Sequence, residues 1–179
     1  MNSISPNLNI MIKACEKASK VIIRDFGEVE NLQVKQKGPK DFVTKTDKRV
    51  ENILIEELSK AKKKYSFITE ESGTIINEIT DTFWIIDPID GTTNFLHGIP
   101  HFAISIALQK DKEISSGLIF DPIKNEIFYA EKNSGSFINN SRIRVSNKSN
   151  IEECLFATNS EGIKSIYPNL NLRNSGCAA

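Results

Sequence analysis

Apolar residues in the first third of the chain recur with a helical period. Leu8, Met11, Cys15, Ala18 and Ile22 follow one another at steps of three and four behind Ser5-Pro6, a cap and first helical position, which predicts an amphipathic helix. A polar stretch broken by Gly38-Pro39 follows. Val50, Ile53, Leu54, Leu58 and Ala61 then form a second apolar stripe, with Thr46 or Asp47 as the expected cap. Lys60, Lys62, Lys63 and Lys64 close that helix as a solvated cationic end, which suits its dipole.

From Tyr65 the period changes to short apolar runs over residues 66–68, 83–86, 102–108, 114–120 and 126–130, which read as strands. Tight connections at 110–112, 121–125 and 133–135 predict antiparallel hairpins, and the alternation over 142–145 predicts a further strand. Two helices followed by a strand meander indicate an α+β layered domain. After about Ser146 the pattern starts again, with an apolar strand over 154–157 and a short helix over 161–167. The expected organisation is an α+β unit over residues 1–145 and the beginning of a second unit over 146–179.

Composition narrows the classes. A chain of 179 residues with 39% hydrophobic content can bury a core. Its 23 basic and 23 acidic residues leave no net field to draw it to nucleic acid or membrane, so any anion binding is local. Cys15, Cys154 and Cys177 are odd in number and widely spaced, which argues against a disulfide framework or a zinc site and for a reducing compartment. With neither a signal-like amino terminus nor a membrane-length apolar run, a cytoplasmic protein is expected.

The chemistry concentrates at Trp84-Ile85-Ile86-Asp87-Pro88-Ile89-Asp90-Gly91-Thr92-Thr93-Asn94-Phe95. An apolar strand is expected to stop at Pro88, which lacks an N–H for the ladder, leaving Asp87 and Asp90 at its carboxyl end, where ligands collect in open α/β sheets. Gly91 permits close backbone approach, and Thr92, Thr93 and Asn94 can open a helix whose amides face an anion. Glu70 and Glu71 follow the strand at 66–68; if the two strands are neighbours, these carboxylates face Asp87 and Asp90 and repel strongly without a cation. Oxygen-only ligation favours a small hard ion such as Mg²⁺ over zinc. Asp87 between two ions, Glu70 on one and Asp90 on the other, fits two-metal phosphate hydrolysis, with Thr92 holding the attacking water and the Gly91 and Thr93 amides holding phosphate oxygens. The acidic and Thr-rich segment 41–47 either supplies a carboxylate that orients Thr92 or simply caps a helix.

Three ordered motifs, Asp41-Phe42-Val43-Thr44-Lys45-Thr46-Asp47, Ile68-Thr69-Glu70-Glu71-Ser72-Gly73 and the segment from Trp84 to Phe95, resemble those of the inositol monophosphatase family of Mg²⁺-dependent, lithium-sensitive phosphatases. The resemblance implies an αβαβα sandwich and, in many members, a homodimer. It implies that Glu70, Asp87 and the carbonyl of Ile89 bind a first metal, and Asp87 and Asp90 a second. Thr92, paired with Asp47, and Glu70 would position the nucleophilic water, and substrate hydroxyls would meet Asp90. Glu71 would stand behind the ligands or on a third ion, and Lys37 near the site. Family members continue past a segment resembling residues 172–179, usually with Ser where this chain has Cys177, to a Trp-Asp motif that completes the second metal site. The sequence is therefore expected to be a C-terminally truncated form with incomplete later layers.

A phosphomonoesterase acting on inositol monophosphate or a related polyol or sugar phosphate leads the functions. The alternatives are a non-catalytic fragment or binding module, and a bisphosphate nucleotidase, whose relatives usually read Gly-Thr-Lys-Glu-Phe where this chain reads Gly91-Thr92-Thr93-Asn94-Phe95. Some relatives meet transcription or RNA machinery, which the balanced charge here does not favour. His97 and His101 flank Gly98-Ile99-Pro100, which keeps a regular helix from presenting them together to a metal. Trp84, Cys15 and Cys177 read as core residues.

Overall fold

Ser5 opens the first helix as expected. Its hydroxyl oxygen accepts the Leu8 N–H at 3.3 Å and its carbonyl accepts the Asn9 N–H at 2.9 Å. In this computed structural model, which describes residues 4–32, 39–158 and 171–174, helix α1 runs Pro6–Leu32 and helix α2 runs Pro39–Ala61. Lys37, the helix expected over 161–167 and Cys177 lie outside the described residues. The buried stripe of α1 continues past Ile22 to Val29, and Phe26 packs on two aromatic rings of a later segment, so the helix outruns its early apolar pattern.

Helix α2 corrects the expected cap. It begins at Pro39, in keeping with the tolerance of a first helical turn for proline, so Thr46 and Asp47 lie within it. Its buried face carries Thr46, Asp47, Val50, Glu51, Leu54 and Leu58. Two carboxylates one turn apart on the inward face of a helix need a reason other than core packing. At its far end Lys60 pairs with Glu56 and Glu57, Lys64 pairs with Glu78, and Lys62 lies over the Tyr65 ring, as a solvated terminus should.

Among the described residues ten strands follow: β1 Tyr65–Thr69, β2 Gly73–Ile75, β3 Ile79–Asp90, β4 Ala103–Lys110, β5 Glu113–Asp121, β6 Glu126–Glu131, β7 Gly135–Ile138, β8 Ser141–Ile143, β9 Leu155–Thr158 and β10 Asn171–Asn174. The first eight form one sheet in the order β2-β1-β3-β4-β5-β6-β7-β8. All its pairings are antiparallel except β1 with β3, which is parallel. Strands β9 and β10 pair in parallel as a second, two-stranded sheet. A short helix, α3 Thr92–Leu96, leaves the end of β3. The expected strand over 142–145 is instead Ser141–Ile143, with Val145 left 93% exposed.

Rows across the sheet share one face beneath α1 and α2. Phe67, Trp84 and Leu108 pair across β1, β3 and β4, and Thr69, Ile86, Ile106 and Leu118 pair across β1, β3, β4 and β5; all are buried. This is the α+β helix-on-sheet layering expected from the sequence. Trp84 and Cys15 are core residues, and burial pushes the Cys15 thiol well above its ordinary range. Among the described residues no helix is long and apolar enough to cross a membrane.

Candidate metal and phosphate site

The parallel pairing of β1 with β3 brings the two acidic motifs together. Thr69 stands opposite Ile86, and the Glu70 N–H donates to the Ile86 carbonyl at 3.2 Å, so Glu70 leaves β1 beside Asp87. The neighbour relation on which the acidic cluster depended is therefore present.

The expected stop at Pro88 is not observed. Strand β3 continues to Asp90, with a register shift against β4 between Asp87 and Asp90 that accommodates a residue unable to donate to the ladder. The shift has a chemical consequence. Residues three apart in a regular strand face opposite ways, yet Asp87 pairs with Ser105 and Asp90 with Ala103, two positions that share a face of β4. The bulge turns both carboxylates to the same side.

Helix α2 supplies a third carboxylate. Asp47 is 4% exposed, and its carboxyl is pushed up from the ordinary 3.8 to about 7, first by burial and then by the charges of Glu71, Glu70, Asp87 and Glu51. Asp87 is raised as well, first by burial, then by a hydrogen bond and charge from Glu70 and by the charge of Asp90; the Ile89 amide pulls it partly back. Among the described residues Asp47 Oδ1 and Asp87 Oδ1 are buried without a hydrogen-bond partner. Buried acceptors left unpaired are costly, and a hard cation would satisfy both oxygen and charge. Among the described residues no three Asp, Glu, His or Cys side chains are placed to hold a metal ion as they stand. The oxygen-only donor set and the two orphaned oxygens nonetheless fit a small divalent ion better than any other ligand.

The turn after β3 is built as its sequence suggested. Gly91 sits at φ 94°, a conformation that favours glycine, and α3 follows at once. Phe95 on α3 packs on Phe26 and Phe102 at 5.5 and 5.1 Å, which fixes the short helix to α1 and to the start of β4. The Thr92 hydroxyl donates to the Ile89 carbonyl at 2.9 Å, whereas the resemblance pairs it with Asp47. His97 and His101 are exposed, and the Asn94 amide donates to the His101 carbonyl at 2.7 Å, so that loop is closed by backbone. Behind the site, buried Asp25 on α1 accepts from Thr46, Arg49 and Arg24 at 2.8 to 3.0 Å, which ties α1 to the turn of α2 that carries Asp47. Sequence reasoning missed Asp25 and Glu51. The spacing of Asp47, Glu51, Leu54 and Leu58 at four, three and four was the available signal for Glu51.

The raised carboxyls predict the pH response of the metal-free protein. The folded state holds protons on Asp47 and Asp87 that the unfolded chain releases near pH 3.8, so their contribution is fully present below that value and lost as pH rises through about 7. With a chelator present, the melting temperature is expected to fall between about pH 4 and about pH 7 and to level off above that, and Asp47→Asn to flatten that slope. A flat wild-type profile would contradict the electrostatics.

Comparison with known proteins extends the picture beyond geometry. Residues 4–171 match the model of the inositol monophosphatase family. The chain is 48% identical over 141 residues to the inositol-1-monophosphatase of Mesorhizobium japonicum, covering 79% of this chain and 53% of that protein. It is 41% identical over 155 residues to the Nus factor SuhB of Pasteurella multocida, covering 87% and 58%. Among solved structures, the extragenic suppressor protein suhB of Bartonella henselae superposes with a TM-score of 0.85 at 40% identity, covering 97% of this chain and 70% of that one. The Thermotoga maritima IMPase superposes at 0.80 with 33% identity, covering 97% and 69%. The chain thus spans just over half the length of the curated relatives it matches.

Proposed function

The chain belongs to the inositol monophosphatase family, and from that membership we propose that it carries the magnesium and phosphate half of a phosphomonoesterase acting on inositol monophosphate or a related polyol or sugar phosphate. The observation that carries this reading is the pair of orphaned, buried carboxylate oxygens on Asp47 and Asp87 beside Glu70. Glu70, Asp87 and the Ile89 carbonyl would hold one Mg²⁺, and Asp87 and Asp90 would hold the other. When bound, the ions supply Lewis acidity toward the ester and acidify a nearby water.

The chain's own residues do the remainder. Thr92 turns its hydroxyl from Ile89 toward the water and hands its hydrogen bond to Asp47. Glu70 accepts the water's proton as the water oxygen bonds to phosphorus and the P–O ester bond breaks, and the departing alkoxide takes a proton from solvent to leave as the alcohol. Amides of Gly91 and Thr93 hold phosphate oxygens at the turn, and Asp90 orients substrate hydroxyls. Glu71 shapes the charge behind Glu70. We read the protein as cytoplasmic from its cysteine usage and as homodimeric from the resemblance.

The test is phosphate release from a panel of monoesters. Magnesium-dependent turnover is expected on inositol monophosphate, reduced by lithium, and weaker on adenosine bisphosphate, whose preference would instead identify a bisphosphate nucleotidase. Magnesium uptake without release from any ester would leave a binding module. The relatives named Nus factor SuhB favour a second reading, a partner in transcription or RNA machinery. The balanced charge opposes direct nucleic-acid contact, so on that reading the partner is a protein.

A further inference from the structure

Glu51 is a carboxylate that the chemistry above does not use. It is 1% exposed, on the face of α2 one turn after Asp47, and among the described residues no ion pair neutralises it. Both of its oxygens are engaged by the turn that carries Glu70. Oε2 accepts the Glu71 N–H at 2.9 Å, and Oε1 accepts the Ser72 hydroxyl at 2.5 Å. From the other side the same turn is held by the Glu70 N–H on the Ile86 carbonyl at 3.2 Å. Thr69 closes it further, taking the Ser72 N–H at 3.3 Å and donating to the Gly73 carbonyl at 3.1 Å, with Gly73 at φ 74°. A buried charge without a counter-ion is costly, and a core position has no use for one. An acceptor able to take two donors from one turn does.

We propose that Glu51 is a positioning residue: by clasping the 70–72 turn to α2 it sets where the Glu70 carboxylate stands relative to Asp47 and Asp87, and thereby the affinity for the first divalent ion. The proposal rests on the metal reading given above. It differs from a structural role because α2 would stay packed through Val50, Leu54 and Leu58 without the clasp.

The experiment measures binding of Mn²⁺ alone, by its electron paramagnetic resonance signal, to the full chain well below its melting temperature. Glu51→Ala is expected to weaken Mn²⁺ binding by about 10- to 100-fold, the range seen when groups supporting metal ligands are removed. Glu51→Gln should restore binding to within about threefold, because its oxygen can take the Glu71 N–H while the rotatable Ser72 hydroxyl accepts from its amide. Leu58→Ala, a destabilising change elsewhere on the same buried face, should leave affinity unaltered. Wild-type affinity in Glu51→Ala, or an equal loss in Leu58→Ala, overturns the proposal. If Glu51→Ala does not fold, Ser72→Ala decides by the same readout: weakened binding supports the clasp and unchanged binding overturns it. Wild-type protein that takes up no Mn²⁺ refutes the metal reading itself, a result distinct from either.

Discussion

Asp87→Asn is expected to abolish measurable magnesium uptake while making the metal-free protein more heat-resistant above neutral pH. The two halves of this expectation have one cause. Asp87 sits where Glu70 and Asp90 both raise its carboxyl, and one of its oxygens is buried without a donor. In the proposed site it touches both ions, so its loss should cost at least the roughly 100-fold that removing a mere supporting group can cost. Without metal the same charge is a liability, since it is buried against like charges. An amide of equal size removes that repulsion, so the metal-free melting temperature should rise by a few degrees near pH 8 and change little near pH 5. Calorimetric titration and a pair of melting curves, with chelator and with magnesium, read both halves. Undiminished uptake would remove Asp87 from the ligand set, and a lowered metal-free melting temperature at pH 8 would make it a structural residue instead.

How much of this site could be read from the chain alone is seen in those same residues. The acidic motifs and the turn at Gly91 follow from residue types and local order, and the structure keeps them. The hairpins over 110–112, 121–125 and 133–135 are legible and present; what escaped was pairing with no local turn to announce it. A hairpin pattern does not announce that β1 and β3 run parallel, because the return through the three residues of β2 carries almost no apolar signal. The shift that aligns Asp87 with Asp90 exists only relative to β4, so Pro88 read as an end when it marks a bulge. Asp47 read equally well as a helix cap, since Asp favours that position, and only the packing of α2 against the 70–72 turn shows it as an inward charge. Strand β10 pairs with β9 from more than ten residues away, a contact with no local signature.

Trp84→Ala is expected to produce the largest loss of stability of any single change in β3, without touching the site's chemistry. Trp84 is fully buried between Phe67 and Leu108 in a row that spans three strands, and Tyr65 packs on it at 5.9 Å. Truncating a buried aromatic side chain of this size costs about 3–5 kcal/mol, lost contacts and residual cavity together. For a domain of this length each kcal/mol moves the melting temperature by about 2–4 °C, so a fall of about 6–20 °C should be measured. Among the described residues the indole N–H has no hydrogen-bond partner, which makes the choice of replacement informative. Phenylalanine keeps most of the volume and removes an unsatisfied donor that itself costs about 1–3 kcal/mol, so Trp84→Phe should lie within about 1.5 kcal/mol of wild type. Because Trp84 faces the helices and Asp87 lies on the opposite side of the same strand, folded Trp84→Ala protein should still gain heat resistance from magnesium. A variant that folds but loses that gain would mean that the hydrophobic row, and not the bulge at Pro88 alone, sets the geometry of the carboxylates.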